Sequence, residues 1–226
     1  MASQNGHTDI VKLLLEKNPN VNLCNNIGWS PLIHASRNGH TDIVRLLLEW
    51  NPGPCDKTPL STSYVNNSTS ITYISNSAIV VQSIMRHNAD VNAQTFDGGT
   101  ALYFTAFYGN KEITKLLLEN DADCNICTYS KQFQTETYTK HPTFTLEHEI
   151  KQCFDDLIDH ASAHVKDYVS QKALDYVFDV EANCSPLHIA CFMGRKDVVS
   201  CLLDYNANIN MTKEDGTTPL FYFYFL

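Results

Sequence analysis

The sequence predicts an all-α solenoid of short helix-turn-helix units, with turn or hairpin tips between them and one helical insertion. The first observation is a self-match, because residues 6–16 recur almost unchanged as residues 39–49, at an offset of 33 residues. The second is a Ser-Pro-Leu or Thr-Pro-Leu phrase at residues 30–32, 185–187 and 218–220. A fixed period of this length indicates stacked supersecondary units rather than one closed core.

Phrase, period and order together resemble the ankyrin repeat family. Residues 185–190 read Ser-Pro-Leu-His-Ile-Ala, close to the Thr-Pro-Leu-His-x-Ala pattern of that family. The resemblance covers about three quarters of the chain. It implies that each unit is a turn followed by two short antiparallel helices, and that the units serve binding rather than chemistry.

The local residues favour the same elements. Proline suits the first position of a helix, and Thr100 or Ser185 can cap the helix that follows. Gly39, Gly109 and Gly194 each follow a first helix, where a left-handed residue ends a helix at little cost. The second helices have a broad apolar side that one pair cannot bury alone, so the units must stack.

The phase of the repeat divides the chain into seven segments. They are a partial repeat at 1–24, repeats at 25–52, 93–127 and 183–210, an irregular repeat with a loop insertion at 53–92, a helical insertion at 128–182, and a truncated repeat at 211–226. Because both ends fall inside a unit, we expect a fragment of a longer array. The alternative is a short product whose tail folds back.

The insertion contains a predicted long helix, since Leu146 to Val169 lacks glycine and proline and has an apolar stripe at helical spacing. On such a helix Cys153, His160 and His164 share one flank, and thiolate and imidazole are good zinc ligands. A solvated or partly packed polar flank is the favoured interpretation. We therefore expect no metal and no other cofactor.

Composition limits the class of partner. The net charge is −9 and no lysine or arginine cluster occurs, which argues against nucleic acid and anionic membranes. The sequence shows no signal peptide and no long apolar segment, and its eight cysteines are scattered. We expect a monomer inside the cell, cytoplasmic or nuclear, with reduced thiols.

The sequence gives little support for catalysis, because it has no glycine-rich phosphate loop and no nucleophile elbow. The family resemblance implies instead that a partner protein binds at the turn tips and at the concave face of the first helices. Aromatic residues and arginine are enriched in binding hot spots. The candidate partner contacts are Trp29, Arg37, Phe96, Phe104, Phe107 and Phe192.

Two alternatives stay open at this level. Phe104, Phe107 and Phe192 flank the insertion in sequence, so its amphipathic helix could cover them instead of a partner. The expected function is a non-catalytic scaffold or adaptor. The alternative is the sensor or regulatory arm of a larger signalling protein or enzyme whose catalytic domain lies outside this chain.

Overall fold

The computed structural model describes residues 1–50, 88–140 and 146–223, and most of the predicted repeat at 53–92 lies outside them. The described residues form helices and no strand, apart from one isolated antiparallel bridge between Gln94 and Thr100. The predicted all-α solenoid is confirmed. The helices are α1 Thr8–Leu15, α2 Pro31–Arg37, α3 Thr41–Glu49, α4 Ala101–Tyr108, α5 Lys111–Glu119, α6 Lys131–Lys140, α7 Leu146–His160, α8 Ala163–Val169, α9 Tyr176–Glu181, α10 Pro186–Phe192, α11 Lys196–Asp204 and α12 Pro219–Phe223.

The first helices begin at hydroxyl caps, as the sequence predicts. The Ser30 hydroxyl accepts a hydrogen bond from the Ile33 amide at 3.3 Å, and Thr100 accepts one from the Tyr103 amide at 3.1 Å. These bonds satisfy amide groups that have no partner inside the helix. Gly109 ends α4 with φ at 83°, a left-handed conformation that glycine adopts without strain.

The helices stack in two layers. The first helices α2, α4, α10 and α12 pack in that order to form the inner layer, and the second helices α1, α3, α5 and α11 form the outer layer. The largest fully buried side chains lie along these two layers and in the insertion, and include Leu32, Ile43, Leu102, Ile113, Leu157 and Leu202. The tips lie along one edge, where the Phe96 amide donates to the Ile27 carbonyl at 3.1 Å.

An asparagine ladder shows which units are neighbours. The Asn22 side-chain oxygen accepts from the Asp90 amide at 2.7 Å, and Asn92 accepts from the Asp123 amide at 2.9 Å in the same way. Residues 88–92 therefore close the unit of α2 and α3, and α2 packs directly on α4. The irregular repeat with a loop insertion expected at 53–92 falls mostly outside the described residues and stays a prediction.

The insertion leaves the solenoid at a tip and returns to the same tip. The Thr128 amide donates to the Cys184 carbonyl at 3.1 Å, and the Asn183 amide donates to the Tyr129 carbonyl at 3.2 Å. Helices α6 to α9 lie between these two pairs. The single predicted helix over 146–169 is wrong, because α7 ends at His160 and the Ser162 hydroxyl caps α8. No helix in the described ranges is long and apolar enough to cross a membrane.

Candidate functional site

Helix α7 lies over the concave face of the first helices and is held there by Arg37. This guanidinium donates to the carboxylate of Asp156 on α7 and to the Tyr108 hydroxyl at 2.9 Å. Its carbon lies 5.2 Å from the Trp29 ring centroid and 5.8 Å from that of Tyr108. Burial alone would lower the pKa of Arg37, but Tyr108 and Asp156 outweigh burial and raise it. Arg37 therefore stays charged.

A second arginine fixes the end of α7. Arg195 donates from Nε to the Phe107 carbonyl at 3.1 Å and from Nη2 to the His160 carbonyl at 2.5 Å. The His160 ring meets the Tyr108 ring edge to face, with centroids 4.7 Å apart. The second arginine thus bridges the solenoid and the last turn of α7, so the insertion packs on the inner layer.

This packing determines how much of each predicted partner contact is exposed to solvent. Phe107 and Phe192 are only 4% and 6% exposed, so little of either ring is available to a partner, and their predicted role in binding stays a prediction. The end of α7 approaches Phe107, and the Tyr222 ring lies 5.2 Å from Phe192. The alternative named the insertion helix as the cover; it describes Phe107, which lies near His160, whereas the ring that lies against Phe192 is Tyr222 of the last unit.

The other predicted contacts remain near solvent. Phe96 is 42% exposed at its tip, while Trp29 and Phe104 are partly buried. The Arg37 side chain forms an ion pair with Asp156 of α7. The role of these four residues in partner binding stays a prediction.

The structure brings Trp29, Phe96 and Phe104 together around a cavity of about 730 Å³, which we call the aromatic pocket. The Trp29 and Phe104 rings are 4.7 Å apart and tilted by 36°. The pocket extends from residues 1–4, α1 and α3 across the tips and the first helices to the insertion. A cavity of this size with an apolar wall is typical of a preformed ligand site.

The floor of the aromatic pocket is polar. Tyr103 and Gln134 are 4% and 1% exposed, and the Tyr103 hydroxyl and Gln134 Oε1 have no hydrogen-bond partner among the described residues. The Gln134 amide nitrogen donates to the Tyr129 carbonyl at 2.9 Å. Burial raises the pKa of the Tyr103 hydroxyl well above its usual value, so this group is neutral.

Glu181 adds a carboxyl group to the same floor. Burial first, and then the nearby carboxylates of Asp97 and Asp156, raise its pKa to about 8, while Lys213 and Arg37 act in the opposite direction. The floor thus combines unsatisfied oxygen atoms with acidic groups.

The three candidate zinc ligands are not gathered into a site. Cys153 lines the aromatic pocket, His160 contacts Tyr108, and His164 lies on α8 beyond the helix break. Within the described ranges, no group of three or more His, Cys, Asp and Glu side chains is placed to hold a metal ion. The break after His160 removes the shared flank on which the zinc hypothesis depended.

Sequence reasoning missed the polar floor. Gln134, Asp156 and Glu181 belong to the insertion, and their distance from the tips in sequence gives no sign that they meet Tyr103. Lys213, which the repeat pattern places at an outward tip, is 5% exposed and donates to the Val180 carbonyl at 2.8 Å. The one available signal was the start of the insertion at a tip.

Comparison with known proteins supports the architecture. A family model described as ankyrin repeats (3 copies) matches residues 1–59 and 153–223, and an ankyrin repeat model matches residues 97–129. The chain is 28% identical over 219 residues to the probable E3 ubiquitin-protein ligase XBOS32 of Oryza sativa subsp. japonica, a match that covers 96% of this chain and 32% of that protein.

A shorter match is to the putative ankyrin repeat protein R96 of Acanthamoeba polyphaga mimivirus. The two are 44% identical over 45 residues, which is 20% of this chain and 4% of the viral protein. The chain thus spans 32% of the length of the rice relative and far less of the viral one.

Proposed function

The chain belongs to the ankyrin repeat family, and we propose that it is a non-catalytic scaffold or adaptor that binds a partner protein. The partner contacts the turn tips and the part of the concave face that α7 leaves open. The observation that carries the proposal is the group of Trp29, Phe96 and Phe104 around the aromatic pocket. Large rings held in place before binding lose little conformational entropy, which favours a hot spot.

One serine and histidine pair resembles a catalytic pair in its spacing, but its surroundings favour a structural role. The Ser185 hydroxyl lies 2.7 Å from His188 Nδ1, a distance that would suit a nucleophile and its base. Both residues are fully buried, however, and together they form the capping box that begins α10. Burial also lowers the pKa of His188 to about 4. We assign this pair to the stability of the solenoid.

The proposal includes a monomer that works inside the cell, in the cytoplasm or nucleus. The seven cysteines of the described residues are free thiols, which suits a reducing compartment. The net charge of −9 favours protein partners over nucleic acid or an anionic membrane.

A second candidate function is the regulatory or sensor arm of a larger protein. It is favoured by the rice relative, which is described as a probable ligase and of which the chain covers 32%. In this version the solenoid recognises a protein on which a catalytic domain outside this chain acts. A natural transcript that continues in frame into such a domain would favour this version over a separate adaptor.

The test of partner binding compares three tagged chains by affinity purification and quantitative mass spectrometry. The site variant replaces Trp29, Phe96 and Phe104 with alanine, and the control replaces three exposed apolar residues elsewhere, Leu203, Tyr205 and Ile209. We expect the wild type and the control to retain a common partner that the site variant loses at least about tenfold. Equal recovery with all three chains would contradict the proposal.

A further inference from the structure

Helix α7 lies on the solenoid in the way that a bound helix lies on a partner protein. Leu157 is fully buried, and Cys153, Phe154 and Ile158 lie partly buried against the core. Asp155, outside this apolar stripe, is exposed. An amphipathic helix that lays its apolar side in a groove is a common form of protein recognition. The insertion thus shows which kind of segment this face can hold.

The solenoid and α7 are complementary in charge. Helix α7 has five acidic residues and one basic residue, and two of the four arginines of the chain contact it. Arg37 pairs with the Asp156 carboxylate, and Arg195 donates to the His160 carbonyl at 2.5 Å. The face under α7 therefore favours a helix with acidic side chains.

The ion pair that holds α7 is open to water. The Arg37 and Asp156 side chains are 28% and 33% exposed. Because water competes for such groups, a pair in this position contributes little net stability. An incoming segment that makes the same pair can therefore replace α7 at little cost in electrostatic energy.

The packing beneath α7 is incomplete. Gln152, Cys153 and Asp156 line the aromatic pocket together with Trp29 and Phe104, and this cavity has a volume of about 730 Å³. Protein interiors normally pack closely, and atoms beside an empty space lose contacts on that side. A helix with a larger apolar side chain at the Cys153 position gains contacts that α7 lacks.

We propose that α7 is an internal ligand of the inner face, and that the partner protein replaces it with an acidic amphipathic helix of its own. The partner helix carries a carboxylate that pairs with Arg37. Three residues earlier it carries a large apolar side chain that enters the aromatic pocket. This inference rests on the proposed function, and it adds the place that α7 holds to the binding surface. Helix α7 is then an autoinhibitory segment.

The covalent connection of α7 determines how a free copy of the helix should bind. Helix α7 is joined to the solenoid at both ends, and a tethered ligand acts at an effective concentration on the order of millimolar. A free copy at a much lower concentration therefore competes poorly in the wild type. The apparent affinity for that copy is proportional to the fraction of molecules in which the site is open. Weakening the internal contact should raise it.

Fluorescence anisotropy measures this affinity. An acetylated peptide of residues 146–160, with a fluorophore at its carboxyl end, is titrated under reducing conditions with three full chains: the wild type, Asp156→Arg and the control Asp155→Arg. Asp156→Arg turns the ion pair into a repulsion, whereas Asp155→Arg makes the same change of charge at an exposed neighbouring position. We expect the Asp156→Arg chain to bind the peptide at least about tenfold more tightly than the other two chains.

A charge swap tests whether Arg37 recognises the peptide. An Arg37→Asp chain also repels its own α7, but it should bind the Asp156→Arg peptide several-fold more tightly than the native one. The chain with both substitutions regains the pair with its signs reversed, so it should bind either peptide as weakly as the wild type does. Circular dichroism and the melting temperature establish that each chain folds. Asp156→Asn replaces Asp156→Arg if the latter does not fold, with a smaller gain in affinity expected.

A larger apolar side chain tests the aromatic pocket. A Cys153→Leu peptide should bind the Asp156→Arg chain several-fold more tightly than a Cys153→Ala peptide, because leucine reaches further into the pocket. Both peptides lack the thiol and have the same charge, so they differ only in the apolar area that they can bury.

Three outcomes would overturn the proposal. The first is that the Asp156→Arg chain binds the native peptide no better than the wild type does, or that neither chain binds it. The second is that the Arg37→Asp chain does not prefer the Asp156→Arg peptide. The third is that the Cys153→Leu and Cys153→Ala peptides bind equally.

The partner captured by the wild type separates this proposal from the proposed function. The Asp156→Arg chain should recover several-fold more of that partner, and an excess of the native peptide should displace it. If the partner depends on Trp29, Phe96 and Phe104 but responds to neither treatment, the assignment of α7 fails while the proposed function stands. If the partner is retained when those three residues are alanine, the proposed function fails as well.

Discussion

Replacing Glu181 with glutamine should stabilise the protein at neutral pH. The ordinary pKa of a glutamate carboxyl is about 4.5, and in the folded protein burial and nearby carboxylates raise the pKa of Glu181 to about 8. Between these values the folded state holds a proton that the unfolded state has lost. The free energy of unfolding therefore falls as pH rises, by about 1.4 kcal/mol per pH unit.

The size of this stability effect follows from the pH range between the pKa of Glu181 in the unfolded chain and its pKa in the folded protein. At pH 7 the full shift corresponds to a penalty of about 3 kcal/mol. Glu181 is partly exposed in the aromatic pocket, and access to water reduces the penalty. We expect the Glu181→Gln protein to be more stable than the wild type by about 1–3 kcal/mol at pH 7 and by less than about 1 kcal/mol at pH 5.

Urea unfolding at pH 5, 7 and 8 measures this difference. The matched control is Glu214→Gln, which changes an exposed carboxyl group and should follow the wild type at each pH. A variant that is less stable than the wild type at pH 7 would refute the reasoning. A difference in stability that does not change with pH would refute it as well, because the carboxyl group would then ionise normally in the folded protein.

Three further predictions concern the groups that hold the insertion and the last units. Lys213→Met should destabilise the protein by about 1–3 kcal/mol in urea unfolding, because the Asp179 and Val180 carbonyls and the Tyr222 hydroxyl lose their hydrogen-bond donor. The surface control, Lys196→Met, should stay within about 0.5 kcal/mol of the wild type. The His188 ring should titrate below pH 5 by NMR, because burial lowers its pKa to about 4. The free energy of unfolding should therefore fall as the pH falls from 6.5 towards 4. A titration midpoint near 6.5 would contradict the buried state of this ring. Asp156→Asn should speed hydrogen exchange in α7 but not in α5, because it removes the charged partner of Arg37; unchanged exchange in α7 would mean that the ion pair does not anchor it.

The sequence predicts the repeated part of the fold well because local chemistry repeats there. Ser30 and Thr100 cap first helices where the period places them, and the apolar second helices pack as the outer layer. The predicted helix over 146–169 failed at Ser162, whose side chain offers the backbone an alternative partner. The hydrophobic periodicity of the sequence does not show that the Ser162 side chain competes with the helical backbone for a hydrogen bond.

The candidate site could be predicted only in part. Trp29, Phe96 and Phe104 follow from their repeat positions, and the structure groups them around one pocket. Phe107 and Phe192 occupy equivalent inner-face positions, yet contacts from other segments cover them. The floor joins Tyr103 to residues of the insertion, and such contacts depend on how a long excursion returns to the solenoid. Sequence spacing does not encode that path.

The most direct test of partner recognition is site-specific photocross-linking in living cells. A photoreactive benzoylphenylalanine replaces Phe96 at the rim of the aromatic pocket or, as the control, Leu203 on outer helix α11. We expect a protein cross-linked from position 96 and not from position 203, and we expect Trp29→Ala to abolish the product. Equal cross-linking from both positions, or a product from position 96 that survives Trp29→Ala, would contradict recognition at this surface.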